Sequence, residues 1–113
     1  MANPSTKRTY GPAALTNTLT TNVYNQSSAL IYDIIKHLHV VNKTAGAVTF
    51  SLWLGATGAN AAGTEWFNAQ SVAANSVYDW YGNLKMVSTD YLVGGASAAT
   101  SLTILLEGEQ YVV

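Results

Sequence analysis

Between His37 and Gly55 the chain reads His-Leu-His-Val-Val-Asn-Lys-Thr-Ala-Gly-Ala-Val-Thr-Phe-Ser-Leu-Trp-Leu-Gly, two alternating stretches around one polar turn. A period of two sends successive side chains to opposite faces of an extended strand, so this segment commits the chain to a sheet. In the second stretch Val48, Phe50, Leu52 and Leu54 share one face, with Thr49, Ser51 and Trp53 on the other. In the first, Ile34, Leu38 and Val40 share a face that Lys36 interrupts. Asn42-Lys43-Thr44-Ala45-Gly46 supplies the polar residues and the glycine that a short hairpin loop uses. The expected element is a β-hairpin.

The remaining segments repeat this pattern on a smaller scale. Asn22–Asn25, Val72–Met86, Tyr91–Val93 and Leu102–Glu107 read as strands, and Gly55–Thr64, Asn68–Gln70, Gly82-Asn83 and Gly94-Gly95 as breaks. Ile31, Ile34, Ile35 and Leu38 also fit a helical period, but the adjoining Val40-Val41 and the turn favour a strand. Seven or eight short strands separated by small-residue turns predict an all-β fold, a small antiparallel β-sandwich. Residues 1–28 differ from the rest, being polar with scattered apolar positions. They read as an amino-terminal arm with one short strand, anchored on a neighbour by Lys7, Arg8 and Tyr10, or else as a disordered end. Residues 29–113 are the expected sandwich domain.

Only 10% of the 113 residues are charged and 49% are hydrophobic, whereas soluble domains carry about 25% charged residues. A surface so poor in charge has little protection against association, so an oligomer is expected. The formal net charge of -1 offers no long-range attraction to nucleic acid or an anionic membrane. The first ten residues lack the apolar stretch of a secretory signal, and no run approaches the roughly 20 apolar residues of a membrane helix. Synthesis in a cytoplasm and a soluble product are therefore expected. The chain has no cysteine, which excludes disulfides and thiolate chemistry.

His37 and His39, two apart on a strand, project from one face and resemble half of a metal site. No Asp, Glu or His follows within a dozen residues, and although distant carboxylates can still approach in the fold, a partly exposed pair of sheet histidines is the expectation, with no metal and no cofactor. Asp33, Glu65, Asp79, Asp90, Glu107 and Glu109 are scattered, and no serine sits in a Gly-x-Ser-x-Gly elbow. Gly55-Ala56-Thr57-Gly58 lacks the lysine of a phosphate loop, and no catalytic residue is assigned. The aromatic residues are the remaining resource. Trp53, Trp66, Trp80 and Tyr81 are candidates for a subunit or partner interface, against core packing as the plainer reading. Trp80 and Tyr81, adjacent on a strand, must point to opposite faces.

His37–Asn42, Ala47–Gly55, Ala74–Gly82 and Gly94–Thr100 together resemble a group of small structural proteins of tailed bacteriophages, over about residues 29–108. That resemblance implies a jelly-roll-like sandwich in the virion, assembled as a homotrimer and bound to the major capsid protein. The implied role is a non-enzymatic capsid decoration protein that stabilises the shell from its outer surface. Its alternative is a receptor- or carbohydrate-binding module of a tail tip or fibre.

Overall fold

Branched and aromatic residues at alternating positions favour extended chain. The computed structural model, which describes residues 7–113, contains eight strands and no helix among them. They are β1 (Lys7–Ala14), β2 (Asn22–Asn25), β3 (Ile31–Asn42), β4 (Val48–Gly55), β5 (Glu65–Val72), β6 (Val77–Met86), β7 (Tyr91–Ala96) and β8 (Leu102–Val112). Two four-stranded antiparallel sheets form, in the orders β1-β8-β3-β6 and β2-β7-β4-β5. Every connection except β4–β5 passes from one sheet to the other. That ordering is the jelly-roll arrangement of a β-sandwich.

The expected hairpin is therefore replaced by an arch. β3 and β4 are both strands and residues 43–47 do turn between them, but the two strands lie in opposite sheets. β3 pairs with β6 and β8, and β4 with β5 and β7. β4 carries an apolar inner face of Val48, Phe50 and Leu52, β3 presents Ile35, Leu38 and Val40 between the polar Asp33 and Asn42, and packing the two faces against each other buries both. Asn42 secures the arch from within. Its buried amide donates to the carbonyls of Gly46 (2.9 Å) and Val72 (3.0 Å), while its oxygen accepts from the backbone N–H (2.9 Å) and hydroxyl (2.7 Å) of Thr44.

The core lies between the sheets, where Ile35, Leu38, Val40, Phe50, Leu52, Met86, Leu92, Leu102, Ile104 and Leu106 are fully buried. The face expected for Ile34 is corrected by a β-bulge. Between Ile35 and His37 the register steps, so that Lys36 has no partner on β8 and faces two residues, Gly82 and Asn83, on β6. An extra residue reverses the parity of a strand. Asp33 and Ile35 point inward before the bulge, and Leu38, Val40 and Asn42 after it, while Ile34 is only half-buried. Gly82-Asn83 is consequently part of β6 and not a turn. Gly108 permits the close approach at the bulge, since a Cβ there would overlap the Ile34 carbonyl oxygen.

The expected arm is corrected as well. Residues 7–14 are an edge strand paired with β8, and residues 22–25 an edge strand paired with β7, so the sandwich includes both and does not start near residue 29. Between them Thr16–Thr21 folds onto the second sheet, where Ala96 N–H donates to the Thr16 carbonyl (2.8 Å) and Gly94 N–H to that of Thr21 (2.9 Å). A Cβ at Gly95 would come within 2.5 Å of the Thr16 carbonyl oxygen, so glycine makes that crossing possible. The threonine hydroxyls of this run bond to one another and to the turn, which accounts for its polar composition. Residues 1–6 of the expected arm lie outside the described residues.

Candidate functional site

On the outer face of the β1-β8-β3-β6 sheet the pairing register assembles a polar cluster. Parity after the bulge sends His37 and His39 of β3 outward together. His37 lies opposite Tyr81 of β6 and Glu107 of β8, and His39 lies opposite Asp79 and Leu105. Directly paired residues share a face, so Asp79, Tyr81 and Glu107 meet the two imidazoles. Arg8, exposed on β1, extends the same row beyond Glu107.

The contacts within the cluster are short. Asp79 Oδ1 lies 2.7 Å from His37 Nε2 and 2.6 Å from His39 Nδ1. Glu107 Oε1 lies 2.9 Å from His37 Nδ1. The Tyr81 ring stacks on the His37 imidazole with centroids 4.5 Å apart and planes 1° from parallel. Partial burial disfavours the His37 cation, but the hydrogen bonds and charges of Glu107 and Asp79 outweigh it and raise the pKa above the ordinary histidine value. Hydrogen bonds from His39 and then His37 hold the Asp79 carboxyl below its ordinary value. Two imidazoles and a carboxylate converging in this way can hold a cation, or share protons among themselves.

No acidic residue or histidine lies within a dozen residues after His39, and the fold brings the distant carboxylate of Asp79 to the pair from β6, because β3 pairs with strands far from it in sequence. A signal was available, because Val77, Asp79 and Tyr81 alternate with Tyr78 and Trp80, placing Asp79 on an outward face.

The aromatic residues expected at an interface do not form one surface. Trp66 and Trp80 meet edge to face at 5.0 Å, packed with Phe67 between the edge strands β5 and β6. Trp53 sits on the outer face of the second sheet with only 8% of its surface exposed. Tyr81, by contrast, is 72% exposed, so Trp80 and Tyr81 do face opposite ways. Among the arm residues, Lys7 Nζ donates to Gln110 Oε1 (2.6 Å), and Tyr10 packs against the core beside Tyr24. These contacts fasten β1 to its own sandwich.

A concavity of about 410 Å³ opens on the outer face of the β2-β7-β4-β5 sheet. Trp53, Asn17, Asn68, Ser51 and Ser97 are among its lining residues. Among the described residues no helix is long and apolar enough to cross a membrane. Comparison with protein families, curated proteins and solved structures returned no match.

Proposed function

We propose that this chain is a non-enzymatic virion structural protein, a capsid decoration protein that binds the outer shell as a homotrimer and stabilises it. The observation that carries this reading is an exposed apolar end. Leu30, Val112 and Val113 are 72%, 81% and 76% exposed, and they adjoin one another, with Val113 N–H donating to the Leu30 carbonyl at 2.8 Å. Clustered apolar surface on a chain so short of charge favours contact between protein surfaces. The jelly-roll order supports the reading only as a frame, since that architecture serves capsid and lectin domains alike. Partners follow from the proposal: two further copies of the chain, and the major capsid protein. Because Lys7–Ala14 is a strand of the sheet, removing residues 1–20 would dismantle the fold and is no test of an arm.

Sedimentation velocity of the full chain, then cosedimentation with shells of the phage that encodes it, tests the proposal. The expected result is a trimer that saturates the shells and raises their melting temperature. Val112→Asp, at an exposed position, is expected to leave a folded monomer. A wild-type monomer that leaves the shells bare would overturn the reading.

The concavity over Trp53 favours a second reading, a carbohydrate-binding module. The amide and hydroxyl groups of Asn17, Asn68, Ser51 and Ser97, around the small exposed part of the Trp53 indole, offer the hydrogen bonds that a sugar ring uses. A glycan array probed with the full chain and with Asn68→Ala separates the two. Binding that the substitution abolishes would support the module, and an array without binding removes it.

A further inference from the structure

The outer-face cluster invites a question that a pair of sheet histidines would not. Once Glu107 accepts the Nδ1 proton of His37, the Nε2 of that ring faces Asp79 Oδ1 at 2.7 Å with either a second proton or a bare lone pair. His39 Nδ1 is directed at the same oxygen from 2.6 Å. The candidate ligand atoms of His37, His39 and Asp79 all lie within 4.8 Å of one another. Three donors thus point into one small volume at the sheet surface.

We propose that His37, His39 and Asp79 form a binding site for a divalent transition-metal ion of the zinc class. Two imidazoles and one carboxylate, without thiolate, suit zinc, cobalt, nickel or copper and not the all-oxygen cations. With metal–ligand bonds of 2.0–2.1 Å, a tetrahedral site needs donor atoms about 3.3 Å apart. Asp79 must then retreat by less than about 1 Å from each imidazole, and the two imidazole nitrogens, within 4.8 Å of one another, must close toward the same spacing by turning about their side-chain bonds. Asp79 stands on the edge strand β6 and is exposed, so its carboxylate has that freedom. Metal entry displaces the protons that the cluster otherwise shares.

The surroundings are those of a ligand set held in place. Glu107 on Nδ1 leaves Nε2 of His37 as the coordinating atom, the carboxylate–histidine–metal relay seen around metal sites generally. Tyr81 stacked on the same ring fixes its plane. Three protein ligands leave a fourth position open to water or to a group from another molecule. A bound ion would tie edge strand β6 to the central strand β3 at Asp79.

The test uses the untagged full chain, stripped with chelator and titrated with zinc alone by calorimetry near neutral pH. One zinc per chain is expected, with affinity lowered at least about tenfold in His39→Ala and in Asp79→Asn. Glu107→Gln is expected to weaken binding by about ten- to a hundredfold while leaving the stoichiometry unchanged. Zinc should also raise the melting temperature of the wild type with concentration, and that of His39→Ala less at every concentration. All three positions lie on an outer face, and circular dichroism establishes that each variant is folded. Absence of binding at millimolar zinc, or binding that His39→Ala leaves undiminished, would overturn the proposal and leave a hydrogen-bonded cluster only.

Discussion

The Tyr24 hydroxyl, on β2 of one sheet, donates a 2.5 Å hydrogen bond to the Asp33 carboxylate, on β3 of the other. Asp33 is fully buried and also accepts from the side-chain amides of Gln26 and Gln110. The carboxylate thus fastens β2, β3 and β8 at one end of the sandwich. A hydrogen bond to a charged group contributes about 1.5–3 kcal/mol, so Tyr24→Phe is expected to lower stability by about 2 kcal/mol in urea denaturation. Asp33→Ala strands three donors and should cost about 3 kcal/mol or more.

The same contact sets a pH dependence. Burial, then the hydrogen bond and the charge of Asp33, raise the Tyr24 hydroxyl well above the ordinary tyrosine range. A raised folded pKa means that the folded state favours the protonated phenol. Its contribution is fully present below the unfolded tyrosine pKa of about 10 and is lost as pH rises through the folded value. Denaturation midpoints between pH 9 and 11, taken as about these limits, should fall less steeply in Tyr24→Phe than in the wild type.

Asn42 gives the arch its own test. Its amide and oxygen satisfy four groups at the turn between the sheets, and it is almost wholly buried. Asn42→Ala is expected to cost about 2 kcal/mol. Asn42→Asp should cost more, because it keeps the acceptor for Thr44 but sets a carboxylate against the carbonyls of Gly46 and Val72. Thermal melts of the two variants check the order.

Alternation in β3 and β4 revealed which side chains are buried, and it did so correctly for Val48, Phe50, Leu52, Leu38 and Val40. Periodicity carries no information about which strand lies alongside, so an arch and a hairpin look alike in this sequence. The same limit hid the cluster, since His37 and His39 were legible but Asp79 joins them only through the β3–β6 register. Ile34 was misplaced for a different reason. Lys36 interrupting the apolar face is the one local sign of the bulge, which otherwise depends on Gly108 and Gly82-Asn83 in two other strands. The polar run at Thr16–Thr21 resembled an arm because its hydroxyls serve a turn against the second sheet.

Gly108 and Gly46 separate a required glycine from a tolerant one. A Cβ at Gly108 would overlap the backbone of Ile34 beside the bulge, whereas one at Gly46 meets nothing within 4 Å. Gly108→Ala forces the β3 and β8 backbones apart and is expected to cost about 3 kcal/mol. Gly46→Ala should stay within about 0.5 kcal/mol of the wild type. Chemical denaturation of the pair measures the difference directly.

Trp80 and Tyr81 supply the sharpest contrast available from adjacent residues. Trp80 packs inward against Trp66 and Phe67 where the two edge strands face each other, and Tyr81 projects outward over His37. Trp80→Ala removes a large apolar group from that junction and is expected to cost about 3 kcal/mol. Tyr81→Ala leaves the core intact and should cost less than about 1 kcal/mol, the share owed to stacking on the imidazole. Comparing urea midpoints with sedimentation of the two variants distinguishes packing from contact. Tyr81→Ala that keeps its stability but loses self-association would place Tyr81 in an interface between copies. Unchanged association would confine its role to holding the His37 ring.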